Sequence, residues 1–274
     1  MKRLLFVVLA FFLATAAYAD RQIIGGEQDH SAAQASDCDH FFTTTFTNLP
    51  AEANEQEQRD ISLNGVDQLR VVAGSEGGVS VRGWNKPNAK LIVCRTAVAE
   101  SMLHAQKVLQ SVSVTHHDGE ILAKGPAVDT NQAWWANLIL YVPRRTKLEI
   151  RAVNGGVALR NLSGKVSAKT TNGGISVASS GGDFKIETES GGITLDRVSG
   201  RVEAISHVGA IALKVADVAA LPTIEAHTGG GGSIICNLTN DGTWDSTRKM
   251  LRIGEGYPDV RLSTDSTIMI DRIR

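Results

Sequence analysis

Between residues 154 and 213 the chain alternates glycine, apolar and polar positions with a period of nine. Gly155, Gly164, Gly173, Gly182, Gly191, Gly200 and Gly209 keep that period without a slip. Two and four residues after each glycine comes an apolar or small pair: Val157/Leu159, Val166/Ala168, Ile175/Val177, Phe184/Ile186, Ile193/Leu195, Val202/Ala204 and Ile211/Leu213. Each nonapeptide thus offers a turn, a short strand with two inward side chains and a polar exit. Asn154-Gly155, Asn172-Gly173 and Ser190-Gly191 suit turns that need a positive φ. Glycine pairs recur in alternate units, at Gly155-Gly156, Gly173-Gly174 and Gly191-Gly192, so the true repeat is eighteen residues made of two unlike halves.

An antiparallel meander and a parallel β-solenoid both use such a pattern, and the charges separate them. At a spacing of eighteen, Lys165 meets Asp183, Asp183 meets Arg201, Lys185 meets Glu203, Lys169 meets Glu187 and Asp196 meets Lys214. All are opposite in sign, which stabilises neighbours on adjacent strands. In a meander the same residues stand two strands apart, about 10 Å, and the pattern has no cause. Upstream, Lys147–Lys165 and Arg151–Lys169 are like-charged, so regular stacking is expected to begin near Asn154. The expected fold is all-β: a short parallel solenoid of about eighteen residues per coil, preceded by an N-terminal β region.

Before the repeat, β-like runs fall at Phe42–Phe46, Asp67–Ala73, Gly78–Gly83, Lys90–Cys94 and Leu138–Val142, the last ended by Pro143. Ser113–Thr115 and Glu120–Ala123 read as a hairpin around His117-Asp118-Gly119. Val98, Met102, Ala105, Leu109 and Val112 form one apolar stripe at helical spacing, predicting an amphipathic capping helix over 98–111. After Leu213 the regularity breaks at Ala216–Pro222 and resumes at Ile234–Cys236, Val260/Leu262 and Ile268/Ile270. A solenoid end is an exposed β-edge that needs cover. The helix is expected to close one end, and Trp244–Arg274 the other.

Residues 1–19 read as a secretory signal peptide: Lys2-Arg3, an apolar run from Leu4 to Leu13, then Ala17-Tyr18-Ala19. The run is shorter than the ~20 residues that span a bilayer. Residues 20–40 are a polar lead-in, 41–145 the N-terminal β region with its helix, and 146–274 the glycine repeat with a C-terminal cap. Losing Lys2 and Arg3 takes the formal charge from −1 to −3, which argues against a nucleic-acid partner. Of three cysteines, Cys38 and Cys94 are expected to pair, closing a loop worth ~4 kcal/mol in the chain-entropy model. Cys236, in apolar company, reads as a buried thiol.

The segments NGGVALRNLSGKVSAKTTNGGISV and SGGITLDRVSGRVEAI, with GGVSVRGW, YVPRRTKLEI and DVRLSTDSTIMI, resemble the bacterial putative-adhesin family of β-strand-repeat domains. The resemblance runs from about Val66 to the C-terminus. It implies a single-sheet or solenoid β architecture in secreted or envelope proteins, and it brings no catalytic residues.

Candidate chemistry is sparse. A polysaccharide-cleaving site needs carboxylates, or a carboxylate and a base, on one outer face. Asp183, Glu187, Asp196 and Glu203 each meet a lysine or arginine at eighteen residues, whereas Glu189 meets His207, which makes that pair the candidate. Of Trp134 and Trp135, strand alternation turns one ring outward, either to contact sugars or to cover the solenoid end. A calcium roll needs an aspartate in every unit, where this chain has Arg160, Lys169, Ala178, Glu187 and Asp196. His116-His117-Asp118 matches no zinc spacing, and neither a phosphate-binding loop nor a nucleophile elbow occurs. No metal or cofactor is expected. The sequence therefore predicts a secreted, non-enzymatic β-repeat protein, structural or adhesin-like; a carbohydrate-binding or carbohydrate-active protein and a self-assembling envelope scaffold are the alternatives.

Overall fold

The computed structural model describes Cys38 and residues 49–216, 222–238, 243–245, 249–257 and 259–273. The expected signal peptide, the lead-in apart from Cys38, and the run Phe42–Phe46 lie outside these residues. In chain order the elements are β1 (Ala51–Ile61), β2 (Leu69–Val72), β3 (Val79–Trp84), β4 (Ala89–Ala99), α1 (Met102–Ser111), β5 (Ser113–His117), β6 (Glu120–Lys124) and β7 (Gln132–Pro143). The repeat supplies β8 (Leu148–Asn154), β9 (Val157–Arg160), β10 (Lys165–Asn172), β11 (Ile175–Ser190), β12 (Ile193–Val208) and β13 (Ile211–Val215). Then come β14 (Ile224–Thr228), β15 (Ile234–Cys236), β16 (Thr243–Asp245), β17 (Met250–Ile253), β18 (Val260–Thr264) and β19 (Ile268–Arg272).

All nineteen described strands join one mixed sheet, which curls on itself. Two runs of strands are linked through β11 and β12, each sixteen residues long. The first run is β6–β2–β8–β10, then the second halves of β11 and β12, then β18–β14–β17. The second is β1–β4–β7–β3–β9, then the first halves of β11 and β12, then β13–β19–β15. Inward side chains of both runs, such as Val166, Phe184 and Ile186 from one and Val177, Ile193 and Leu195 from the other, share one buried cluster. Strands on the two sides of residue 145 belong to the same sheet, because β2 and β3 lie directly against β8 and β9.

Within the repeat the strands are parallel, and residue i pairs with i+18. Lys165 lies beside Asp183, Asp183 beside Arg201, Lys185 beside Glu203, Lys169 beside Glu187 and Asp196 beside Lys214. The pairing starts earlier than the charges predict, with Leu148 beside Val166 and the like-charged Arg151 beside Lys169. Inward Leu148, Ile150 and Ala152 are buried against the next rung. Outside, Arg151 turns to Glu149 at 2.8 Å and Lys147 to Asp67 at 2.7 Å. Burying three apolar side chains, up to ~1.5–3 kcal/mol for each of the larger two, outweighs a screened surface repulsion.

The sheet is not wholly parallel, so a purely parallel solenoid does not describe the whole chain. β1 and β7 flank β4 antiparallel, β5 pairs β6, and β17 lies antiparallel between β14 and β16. These strands close what would otherwise be open parallel edges. The ends also swap in order. β18 lies between β12 and β14, and β19 between β13 and β15, so the last two strands fill a gap inside the sheet rather than covering its end. Symmetrically, β7 inserts between β3 and β4.

β1 has no counterpart in the sequence prediction. Its AEANEQEQRDI is almost entirely polar, and only Ala53 and Ile61 are buried. It pairs along its full length with β4, which is buried on both faces. The helix also starts later than expected. Ser101 caps it, accepting from His104 N at 3.3 Å, and its inner face is Ala105, Val108 and Leu109. Val98 belongs to β4, and Met102 points to solvent. Strand partners on both sides of β4 hold Val98 extended, against its helical spacing.

The corners between the two runs carry the closest contacts. Gly173 does not have a positive φ, contrary to the turn expectation, and neither does Gly155; Gly191 and Gly209 do. What Gly173 requires is space. A Cβ there would stand 2.3 Å from the Gly155 carbonyl oxygen, and the same overlap recurs from Gly191 to Gly173 and from Gly209 to Gly191. Behind this column stands a second one of buried hydroxyls. Thr170, Thr188 and Ser206 donate to the carbonyls of Gly155, Gly173 and Gly191 at 2.9 Å, and Thr264 to Gly209 at 2.7 Å. A buried carbonyl without a donor costs ~1–3 kcal/mol, which explains polar side chains at inward positions. On the outside of the corner Asn172 donates to Asn154 at 2.8 Å, and Asn154 to Glu76 at 3.0 Å. Burial raises the Glu76 carboxyl above its ordinary range, against the lowering effect of the Asn154 hydrogen bond.

Three outcomes test this account of the corners. Gly173→Ala is expected to cost at least ~1–3 kcal/mol in urea unfolding, as overpacking does, and Gly156→Ala clearly less, since its Cβ would stand 3.2 Å from the nearest atom. Equal costs would show that the close approach at Gly173 is not what sets the corner. Thr188→Val is expected to destabilise by ~1–3 kcal/mol through the orphaned Gly173 carbonyl. Because the fold raises the Glu76 pKa, this group adds stability as pH falls through its folded value and subtracts it at higher pH. Glu76→Gln, which keeps an acceptor for Asn154, should therefore raise the melting temperature at pH 8 and leave it nearly unchanged at pH 4.

Candidate functional site

The outer face of the first run carries two of the candidates the sequence singles out, Glu189 and His207. One row of neighbouring positions crosses eight strands: Glu120, Arg70, Glu149, Ser167, Lys185, Glu203, Arg261 and Glu225, and it ends on Arg252 of a ninth. The sign alternates along it, interrupted only by Ser167. Arg70 reaches Glu120 at 3.2 Å and Glu149 at 3.8 Å, and Arg252 reaches Glu225 at 3.2 Å. Strand alternation explains the placement, since every second residue of these strands faces out.

Glu189 and His207 lie on this face, on β11 and β12, with Oε2 and Nε2 3.8 Å apart. They are not an isolated pair. His207 Nε2 is equally 3.8 Å from Glu187 Oε1, and Lys169 on β10 reaches Glu187 at 2.7 Å and Glu189 at 2.9 Å. The hydrogen bond from Lys169 holds the Glu187 carboxyl below its ordinary range, and the Glu187 and Glu189 carboxylates raise the Lys169 ammonium. The four groups form a solvated ion-pair network in which Lys169 bridges both carboxylates. Glu187, Glu189 and His207 offer three donor atoms within 4.8 Å of one another, enough to contact a cation, but Lys169 already occupies the position between the carboxylates.

The two tryptophans separate as alternation requires. Trp134 is 1 % exposed, packs in the main core, and donates from Nε1 to the Pro126 carbonyl at 2.8 Å. It cannot contact a ligand. Trp135 points to the other side of β7 and packs, half-buried, against Leu49, Val98 and Ala133. His117 and Asp118 sit fully outward at the β5–β6 turn, 3.0 Å apart. Cys38 and Cys94 are joined by a disulfide, with Cα atoms 5.6 Å apart. Cys236 is a free thiol of intermediate exposure on β15.

Two aromatic features have no counterpart in the sequence analysis. On the outer face of the second run, Trp84 and Tyr141 have ring centroids 5.5 Å apart, with Lys86 over Trp84 at 5.1 Å. On the first run, Tyr257 of the β17–β18 connection lies against Arg261, whose guanidinium is 4.3 Å from the ring centroid. The sequence signal for the second is a lone tyrosine in the turn-rich Gly254-Glu255-Gly256-Tyr257, and nothing local says which strand it meets.

No family model matches the chain, and no curated protein matches it. Among solved structures, a putative cell adhesion protein from Clostridium sporogenes is similar over 81 % of this chain and 100 % of its own, at 11 % identity and a TM-score of 0.43. A putative adhesin from Bacteroides fragilis is similar over 80 % and 97 %, at 14 % identity and a TM-score of 0.32. A protein from Parabacteroides distasonis described as a putative lipid binding protein is similar over 81 % and 97 %, at 8 % identity and a TM-score of 0.28. These likenesses are too distant for any function to be carried across from them.

Proposed function

We propose that this chain is a secreted or envelope-associated, non-catalytic β-repeat protein with a structural, adhesin-like role. In this reading the parallel strands form a short solenoid whose outer faces are displayed for contact. The observation that carries it is the state of the charges. Across nine strands one outward row alternates in sign except at Ser167, and both carboxylates beside His207, Glu187 and Glu189, are already engaged by Lys169. General acid catalysis of glycoside cleavage needs a carboxyl held protonated near neutral pH. In this cluster Glu187 is shifted the opposite way. The disulfide and the leader-like residues 1–19 support an oxidising compartment outside the cytoplasm. Among the described residues no helix is long and apolar enough to cross a membrane. End-to-end self-assembly is the weaker reading, because the strand that begins the second run, β1, carries Glu52, Glu55, Glu57 and Asp60.

Co-sedimentation of the purified chain with isolated cell envelopes tests the adhesive reading, and attachment above that of an unrelated secreted control is expected. A chain that stays in the supernatant at every salt concentration sinks the proposal. A reducing-sugar assay on envelope polysaccharide checks the absence of catalysis, and release of sugar that Glu189→Gln abolishes would make the protein an enzyme instead.

A further inference from the structure

On the outer face of the first run, the β17–β18 connection leaves a cleft of about 230 Å³ beneath Tyr257. Its other walls include Lys165, Asp183, Arg201, Glu203 and Arg261. The register fixes them: Lys165, Asp183 and Arg201 are neighbours across β10, β11 and β12, and Glu203 is beside Arg261. Arg261 at 4.3 Å and Arg201 at 5.8 Å from the ring centroid stand over the Tyr257 ring, yet the residue is 65 % exposed. Cation–π contacts of this kind orient a ring while leaving its remaining surface in water.

The charges here differ from those of the neighbouring rows. Lys169, Glu187 and Glu189 close on one another within 3 Å, as do Arg151 and Glu149. Around the cleft, Lys165, Asp183, Arg201 and Glu203 make no side-chain hydrogen bond or ion pair within 4.0 Å to any described residue, although opposite charges are their strand neighbours. Two carboxylates and two cations therefore keep their hydrogen-bonding capacity, facing a cavity with an exposed aromatic plate.

We propose that this cleft binds one saccharide residue of an external glycan, with the ring of Tyr257 as the platform. A sugar ring has an apolar C–H face, which stacks on an aromatic surface, and a rim of hydroxyls that both donate and accept. Asp183 and Glu203 only accept, and Arg201 and Lys165 only donate, so the walls match that rim from both sides. The alternatives fit less well. A polyanion would meet the three carboxylates of Asp183, Glu203 and Asp259, and an apolar ligand would have to desolvate these and the four cations of the lining without replacing their hydrogen bonds. The cavity is below the ~300–1,000 Å³ of sites that enclose drug-sized ligands, so it takes a terminal unit or branch rather than a buried oligosaccharide. The assignment rests on the surface-contact reading above in supposing a ligand outside the cell.

The test is titration of the purified chain with a panel of soluble neutral and uronic-acid oligosaccharides, followed by amide chemical shifts. At least one member should shift the amides of Arg201, Glu203 and Arg261. Tyr257→Ala should weaken that binding about tenfold, the size expected for one aromatic contact, with an unchanged melting temperature. Tyr257→Phe should retain most of it, and Lys165→Gln, at a residue that does not touch the ring, provides a second variant that should also weaken binding. The proposal fails if no member of the panel shifts these amides, or if Tyr257→Ala binds as the native chain does. It also fails if inorganic phosphate alone reproduces the shifts and displaces the sugar. Envelope attachment is read separately: saccharide binding without attachment sinks the adhesive reading and leaves the cleft standing, while attachment without saccharide binding does the reverse.

Discussion

The distance between successive corners governs the parallel part of this protein. Where Gly173 passes Gly155, the backbone of one rung fills the space a Cβ would need on the next. This contact pins the eighteen-residue register, because a slip by one residue would turn every inward side chain outward. The column of Thr170, Thr188, Ser206 and Thr264 then answers the carbonyls trapped at the corner. With the corner fixed, Ile175 falls beside Ile193 and Lys169 beside Glu187 in the same step. Core stacking and surface charge pairing are two results of one backbone constraint.

The ends obey a different constraint. A stack of parallel strands exposes unpaired backbone groups at each edge, and here antiparallel strands meet both ends of the first run and the start of the second, whose other end is the parallel β15. The chain leaves a gap on both sides of the repeat and returns to fill it, so β18 and β19 enter between rungs already made by earlier strands. Such rungs join segments far apart in sequence and pay loop-closure entropy before they gain contacts, which slows folding. In return the last segment is anchored on both sides rather than on one.

The outer surface divides into charges that are satisfied by neighbours and charges that are not. The cluster around Glu189 and His207 is internally closed, with Lys169 spanning both carboxylates. The pair itself was legible from the eighteen-residue spacing. That Lys169 reaches a second glutamate two residues further on was not, since the reach of a lysine chain is set by side-chain rotamers and not by register. The cleft beneath Tyr257 is less legible still, because its aromatic comes from a connection far along the chain from Lys165, Asp183 and Glu203 of the strands it meets.

The sequence by itself determined the period, the parallel neighbours within the repeat and the inward and outward faces, because these follow from local spacing and repeat at a fixed interval. It also marked Trp134 and Trp135 as pointing to opposite sides, though not which ring is buried. Four things were decided only by tertiary structure. Polar β1 is a strand because β4 offers its whole length as a partner. Val98 stays extended because strands flank it on both sides. Gly173 is needed for close approach and not for a positive φ. The final strands lie inside the stack because a gap between rungs has an edge on each side to pair with. Except at Gly173, whose partner Gly155 is one repeat away, the deciding partner is distant in sequence, where periodicity carries no information.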